Sequence, residues 1–140
     1  MPVVTIVATD NTATEAGLTT GFFTVSRSGG TATALTVNYS VAGSATNSID
    51  YQPLSGSVTI PAGQSSATIL VTPIDDSAIE GDETVIVTLS ANAAYTIGAQ
   101  ASATVKIADD DAPVVTIVAT DAVVAEEALD PGVFTVSRTG

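Results

Sequence analysis

A long internal repeat constrains this chain more than any other feature of its sequence. Residues 3–29 align without a gap on residues 114–140, and 17 of the 27 aligned positions are identical. A match of this length within one chain indicates a duplicated unit, with a period of 111 residues. We therefore expect one full domain over 3–111, a linker at 112–113, and the first two strands of a second copy over 114–140.

The apolar residues of the first copy follow strand spacing. Val, Ile and Thr recur at alternate positions in short runs separated by turn residues, and no run has helical spacing. In the clearest run, Leu35, Val37, Tyr39 and Val41 share one face. Seven such runs in about 110 residues predict an all-β, seven-stranded antiparallel immunoglobulin-like sandwich. The expected strands are 3–9, 22–27, 34–43, 56–60, 66–73, 84–90 and 101–108.

The acidic residues fall at one end of the predicted sandwich. Successive connections of antiparallel strands alternate between the two ends, so the first, third and fifth connections share one pole with the segment after the last strand. The other three connections share the opposite pole, and their segments 28–33, 61–64 and 91–100 contain no acid. The first pole receives all eleven acids of the first copy: Asp10, Glu15, Asp50, Asp75, Asp76, Glu80, Asp82, Glu83, Asp109, Asp110 and Asp111.

Such crowding of carboxylates calls for a counterion. Two carboxylates about 4 Å apart repel by about 1 kcal/mol in water and about 4 kcal/mol at an effective dielectric near 20. The chain has no Cys and no His, so any metal must be bound by oxygen. Calcium fits, because it takes about 6–8 oxygen ligands in flexible geometry, whereas magnesium usually keeps its waters. For any single acid, the alternative interpretation is a solvated turn residue.

Several motifs resemble the Calx-beta family, whose β-sandwich repeats are named for sodium/calcium exchangers and also occur in bacterial surface proteins. They are Glu15 ahead of residues 21–25, Asp50-Tyr51, residues 61–64, residues 74–84, and the triad Asp109–Asp111. The similarity covers 3–111 and recurs in 114–140. It implies calcium bound by Glu15, Asp50, Asp75, Asp76, Glu80, Glu83, Asp109, Asp110 and Asp111, with a backbone carbonyl near Ala78 as an extra ligand.

The number of ions follows from charge. Nine converging carboxylates neutralise up to about four Ca²⁺, and sharing between adjacent ions gives an expected range of about two to four per full repeat. Asp82 is left outside the ligand set, with capping of the turn into the sixth strand as its expected role.

The expected function is that of a calcium-binding spacer module in a multi-repeat protein, with ions that stiffen the acidic pole and the joint after Asp111. Two alternatives stay open, a calcium-sensing regulatory domain and an adhesive module that binds a ligand directly. An enzyme is not expected, because no imidazole or thiol is present to pair with a nucleophile. The chain also has no Trp and only three Tyr and three Phe, too few for the aromatic platforms usual in sugar sites.

Charge and composition also restrict the partners. The net charge of −12 argues against nucleic acid and anionic membranes, and no apolar run approaches the roughly 20 residues that span a bilayer. The lack of Cys does not decide the redox compartment, because bacterial secreted proteins often lack disulfides while eukaryotic secreted domains of this size usually carry them. The expected location is extracellular or at the cell surface, in a bacterium. The expected partners are calcium ions, neighbouring repeats of the same chain, and a second molecule that swaps or edge-pairs with 114–140, because an isolated two-stranded ribbon is marginal in water.

Overall fold

The computed structural model describes residues 1–127 and 129–139. They form two compact units, one of residues Met1–Asp110 and a second that begins at Asp111. Ala128 and Gly140, both within the predicted second repeat, lie outside the described residues. Over the described part of the chain, no helix has the length and apolarity needed to cross a bilayer.

The first unit is a sandwich of two β-sheets, as predicted from the alternation of its sequence. Its strands are β1 (Val3–Asp10), β2 (Thr12–Thr14), β3 (Gly21–Ser28), β4 (Leu35–Ala42), β5 (Ser57–Ile60), β6 (Ser66–Val71), β7 (Glu83–Leu89), β8 (Thr96–Ile97) and β9 (Ser102–Ala108). One sheet has the order β6-β3-β1-β8, and the other has the order β2-β9-β7-β4-β5.

Alternate β-branched residues form the core between the two sheets. Val4 and Ile6 on β1 face Val85 on β7 and Val105 and Ile107 on β9, and none of the five is more than 1% exposed. Each such side chain contributes about 1.5–3 kcal/mol on burial. A slip of one residue would turn a whole strand's apolar set towards water, so the core fixes the register of the strands that carry the loops.

Two short strands go beyond the seven predicted ones. A β-bulge between Ala8 and Asp10 redirects the chain after β1, and β2 then pairs in parallel with β9 of the other sheet. β8 lies within 91–100, which the sequence indicated only as a connection, and pairs in parallel with the start of β1. Each has two or three residues, too few for alternation to be detected. The antiparallel prediction therefore describes the main strands and is incomplete at the sheet edges.

Arg27 cross-links the pole that carries no acid. Its side chain is 6% exposed and donates only to backbone carbonyls among the described residues. Nε and Nη2 donate to the Gln64 oxygen at 3.0 and 2.9 Å, and Nη1 donates to the Thr33 oxygen at 2.7 Å. Nη2 also donates to the oxygens of Thr31 and Pro61 at 3.1 and 3.2 Å. One side chain thus ties the β3–β4 connection to the β5–β6 connection.

The second unit is a two-stranded antiparallel ribbon that repeats the geometry of β1 and β3. It consists of β10 (Val115–Asp121) and β11 (Val133–Arg138), and its bulge falls between Ala119 and Asp121. Residues that are buried in the first unit have exposed counterparts here. Phe23 is fully buried, whereas its counterpart Phe134 is 71% exposed.

Candidate metal centre

Glu15 is presented by a tight turn between β2 and β3. It precedes a short 3-10 turn, Ala16–Leu18, in which Gly17 has φ 72°, a left-handed conformation that glycine adopts without a steric cost. The Leu18 N–H donates to the Glu15 carbonyl at 2.9 Å, and the Glu15 N–H donates to the Ala108 carbonyl at 3.1 Å. These two bonds hold Glu15 beside the end of β9, with its side chain 5% exposed.

Asp50 is fixed within the β4–β5 connection. Its side chain is 4% exposed, and its carboxylate accepts a hydrogen bond from the Thr46 N–H. The Asp50 N–H donates back to the Thr46 carbonyl at 3.0 Å, and the Asp50 carbonyl accepts from the Ile74 N–H at 2.9 Å. The first bond pair closes the loop, and the last one joins it to the β6–β7 connection.

The β4–β5 connection is also bonded to the start of β7, where Glu83 lies. The Thr84 N–H donates to Ser44 Oγ at 2.9 Å, and the Ala45 N–H donates to the Thr84 carbonyl at 3.1 Å. Gly43 has φ 121°, and a Cβ at this position would lie 2.1 Å from the Thr84 carbonyl oxygen. Only glycine permits this approach, and carboxylate oxygens of Asp50 and Glu83 lie within 4.8 Å of each other.

The β6–β7 connection folds over the segment that follows β9. Asp109 Oδ2 accepts hydrogen bonds from the N–H groups of Glu80 and Gly81 at 3.0 and 2.7 Å. Within the connection, Asp76 Oδ1 accepts from the Ala78 N–H at 2.6 Å. These bonds to carboxylates shape a loop that has no regular structure of its own, and they bring its acids over the end of β9.

Two groups of three carboxylates meet within the first unit. One consists of Glu15, Asp75 and Asp110, and the other consists of Asp50, Glu80 and Glu83; in each, one oxygen per residue lies within 4.8 Å of the others. Two oxygens bound to one Ca²⁺ at about 2.3–2.6 Å are at most about 5 Å apart, so each group fits around a single ion. Both groups are drawn from loops that are far apart in sequence and converge at one pole.

The pKa values show how unfavourable this convergence is without a cation. Burial raises the pKa of Glu15 to about 7, and the charges of Asp109, Asp76, Glu80 and Asp110 add to the effect. Burial also raises the pKa of Glu83 to about 7, together with its hydrogen bond to Asp50. The charge of Asp50 is the largest cause of the raised pKa of Glu80. A cation bound here would favour the ionised forms and release protons on binding.

The structure brings most of the ten predicted ligands to one place. Six form the two groups, and Asp76 and Asp109 lie near enough to Glu15 to raise its pKa. The Ala78 carbonyl belongs to neither group, and Asp111 is the first residue of the second unit, so the roles of both stay predictions. Asp82, for which a capping role was expected, forms an ion pair with Lys106 at 2.7 Å.

The sequence did not reveal the neutral residues that hold the site. Ser44 and Thr46 fix the β4–β5 connection through side-chain and backbone bonds, but no charge or spacing distinguishes them from other turn residues. The ion pair between Lys106 and Asp82 was easier to anticipate. The last two predicted strands pair with each other, and Thr84, two residues after Asp82, lies opposite Lys106.

The chain is similar to a known domain family and to several solved structures. The family model of the Calx-beta domain matches residues 2–111. The fold is similar to the crystal structure of the apo-form Calx CBD1 domain, with 24% sequence identity, a TM-score of 0.63, and coverage of 79% of this chain and 98% of that one. It is also similar to the calcium binding domain CBD12 of CALX1.1, with 25% identity, a TM-score of 0.62, and coverage of 76% and 44%.

The chain therefore spans less than half of the CBD12 structure. The Calx CBD2 domain is a further structural neighbour, with 17% identity and a TM-score of 0.57 over 77% of this chain and 86% of that domain. No curated protein sequence matches the chain. The family match covers well over half of the residues and coincides with the sandwich that carries the acidic pole, so this chain belongs to the Calx-beta family.

Proposed function

We propose that this chain binds calcium at the acidic pole of its first unit, as a spacer module of a multi-repeat, extracellular or cell-surface protein. The observation that carries the proposal is the pair of carboxylate groups, Glu15 with Asp75 and Asp110, and Asp50 with Glu80 and Glu83. Each group has the oxygen spacing of a single calcium site, and the chain has no His or Cys that would favour another metal.

Family membership supports the same ion. The CBD12 structure of CALX1.1 is described as a calcium binding domain, and it shares the fold of this chain. Nine carboxylate ligands are predicted at the pole, and burial together with the neighbouring carboxylates raises the pKa values of Glu15 and Glu83. Two to four Ca²⁺ would offset that charge, as the carboxylate count predicts.

The spacer role is supported by the position of the two ends of the sandwich. β1 begins opposite the end of β3, with Val3 paired to Ser28 at the pole without acids. β9 ends at Ala108, which accepts a bond from Glu15 at the acidic pole. The chain therefore enters at one pole and leaves at the other, about 23 Å away for a seven-residue strand. Repeats joined in this way extend end to end, and calcium would stiffen the pole from which the chain leaves.

Unfolding measurements test calcium binding by this chain. We expect calcium to raise the urea midpoint, with a stabilisation that grows as the logarithm of the calcium concentration above Kd, and magnesium at the same concentration to have a much smaller effect. The variant Asp110→Asn should lose part of the calcium response. Asp10→Asn is the matched control, because Asp10 belongs to neither carboxylate group and accepts a bond from the Thr12 N–H. Equal calcium responses in the two variants would contradict the assignment.

Scattering by two full repeats in tandem tests the spacer role. Calcium should increase the maximum dimension relative to chelator, because a stiff joint holds the repeats apart. An unchanged dimension would count against stiffening of the joint but would not bear on calcium binding.

The calcium-sensing alternative predicts a higher calcium affinity. Saturation far below extracellular millimolar calcium would favour a sensor over a spacer.

A further inference from the structure

The edges of the two sheets face each other along one flank of the first unit, where β5 and β6 are the edge strands. A segment of the β4–β5 connection crosses between them. At one end, the Gln52 N–H donates to the Thr72 carbonyl at 2.9 Å, just after β6. At the other end, the Tyr39 N–H donates to the Gly56 carbonyl at 2.9 Å, just before β5. Residues 53–55 therefore cross from one sheet to the other and cover part of the flank.

A cavity of about 220 Å³ opens on this flank beside residues 53–55. Its lining includes the aliphatic side chains of Leu54, Val58 and Ile69, which belong to the core or pack against it. Every described residue that lines it is uncharged. A cavity of about 150 Å³ in an apolar core is large enough to bind benzene. The cavity on this flank therefore has room for a ring with a substituent, and it favours a neutral ligand because a charge would lack a partner there.

Tyr39 brings a polar group to this cavity. Its side chain is 7% exposed and lines the cavity, and its hydroxyl forms no hydrogen bond with any described residue yet stays within reach of water. The hydroxyl of Tyr95 is different, because it donates to the Ser90 carbonyl at 2.7 Å and accepts from the Asn38 N–H at 3.0 Å. Buried tyrosine hydroxyls usually have a partner. The Tyr39 hydroxyl is therefore free to bond to a ligand in the cavity.

The backbone of β6 adds further donors and acceptors. Bonded pairs alternate along an antiparallel ladder, and the Arg27 N–H donates to the Ser65 carbonyl at 2.8 Å in the pairing of β3 with β6. The backbone groups of Thr68 and Leu70 therefore point away from β3, and both residues line the cavity. Residues 51–52 bond this edge further along, after Leu70. The N–H and carbonyl groups beside the cavity thus face the open flank.

We propose that this cavity binds a small neutral phenol. The aromatic ring packs among the aliphatic side chains and beside the ring of Tyr39. The ligand hydroxyl bonds to the Tyr39 hydroxyl and to a backbone group of Thr68 or Leu70, since a hydroxyl both donates and accepts. The net charge of −12 disfavours an anion at the same place. The cavity lies on the flank between the two poles, so its occupation does not depend on the proposed calcium site or on the joint between repeats.

A nuclear magnetic resonance titration of the full chain in chelator tests the site with p-cresol and toluene, which differ by one hydroxyl. We expect saturable shifts at the amides of Thr68 and Leu70, with a Kd of about 1 mM for p-cresol. The Kd for toluene should be about tenfold higher, which corresponds to about 1.4 kcal/mol for the hydrogen bonds of the hydroxyl. An absence of saturable shifts would mean that the cavity holds water only. That result, or shifts centred elsewhere, would overturn the inference.

Tyr39→Phe tests the hydroxyl without changing the shape of the cavity. Because this hydroxyl has no partner within the described chain, we expect an unchanged urea midpoint, p-cresol binding about tenfold weaker, and unchanged toluene binding. Tyr95→Phe is the matched control. It loses the bonds to Ser90 and Asn38, so it should lower the urea midpoint and leave the p-cresol affinity unchanged. Equal p-cresol affinity in Tyr39→Phe and the unchanged chain would contradict the role of the Tyr39 hydroxyl.

Val58→Phe tests the cavity itself, because the larger side chain fills the space that the ligand ring occupies. We expect p-cresol binding at least about tenfold weaker, with circular dichroism as the check that the variant is folded. If Val58→Phe is unfolded, Leu54→Phe in the covering segment replaces it, with the same expected loss. Unchanged p-cresol binding in a folded variant of this kind would overturn the assignment of the cavity.

Discussion

The connections at the two poles of the first unit are held together by groups of opposite charge. At the pole without acids, Arg27 supplies a positive charge from within the chain and binds four backbone carbonyls of two connections. At the acidic pole, the connections converge through carboxylates, and Lys106 forms an ion pair with one of them, Asp82. The first pole is complete when the chain folds, whereas we propose that the second takes up a cation from solution. The comparison predicts that calcium acts on one pole alone.

The largest effect is expected for Arg27→Met, which removes the donor of five hydrogen bonds that join two connections. We expect a loss of about 3 kcal/mol in the free energy of unfolding, the same with calcium and with chelator. Urea unfolding under both conditions measures it. Arg138→Met is the matched control, because Arg138 is the repeat counterpart of Arg27 and is exposed in the second unit. If calcium restored the stability lost in Arg27→Met, the two poles would not be independent, and the comparison would be contradicted.

Calcium affinity should depend strongly on pH. The pKa values of Glu15 and Glu83 are raised from 4.5 to about 7, so both groups are largely protonated at pH 6 and ionised at pH 8. Lowering the pH from 8 to 6 should weaken calcium binding by up to about 100-fold, because each group must release its proton. Calorimetric titrations at both values measure this change. An affinity that did not vary with pH would exclude both residues as ligands.

Without calcium, the stability of the first unit should change with pH in the opposite sense. A carboxyl group whose pKa is raised in the folded state contributes stability that is fully present below its unfolded value, near 4.5, and is lost as the pH rises through about 7. The urea midpoint in chelator should therefore fall between pH 5 and pH 8. Saturating calcium should remove this fall, because the bound ions favour the ionised groups.

Glu15→Gln should separate repulsion from ligation. In chelator the variant should be more stable than the unchanged chain at pH 8, because one ionised group is removed from a buried cluster. In calcium it should lose about tenfold in affinity, or about 1.4 kcal/mol, because an amide is a poorer ligand than a carboxylate. Opposite shifts of the midpoint in the two conditions are the expected signature. A loss of stability in both would indicate a purely structural role for Glu15.

The smallest effect is expected for the ion pair between Lys106 and Asp82. Both side chains are about half exposed, at 47% and 53%, so Lys106→Met should change the free energy of unfolding by about 1 kcal/mol or less. The calcium response should be nearly unchanged, because Asp82 belongs to neither carboxylate group. A large loss of calcium response would show that Asp82 takes part in the site.

The sequence predicted which acids lie at which pole, because this depends only on the order of the strands and connections along the chain. Antiparallel strands alternate direction, so the acids of distant loops such as Glu15 and Asp75 had to share a pole once the strands were assigned. The internal cation at the other pole could not be predicted in this way. Arg27 is followed by neutral residues, and its partners are carbonyls, which every residue carries.

The sequence could not predict which acids form each of the two carboxylate groups. Which carboxylates meet depends on the local bonds of irregular loops, such as the closure of the β4–β5 connection by Thr46 and the close approach of Gly43 to Thr84. The chain crossing from β1 to β2 likewise depends on a bulge at Ala8 and Asp10 that no alternation signals. Strand assignment is a periodic property, whereas these features depend on single contacts.

Calorimetric titration with calcium at pH 8 tests the difference between the poles most directly. Three proteins are compared: the unchanged chain, a variant in which Asp109, Asp110 and Asp111 are all changed to Asn, and Arg27→Met. The unchanged chain should bind about two to four ions, the Asn variant should bind fewer or bind them more weakly, and any Arg27→Met protein that remains folded should bind as the unchanged chain does. No heat of binding in the unchanged chain, or equal binding by the Asn variant, would contradict calcium ligation at the acidic pole.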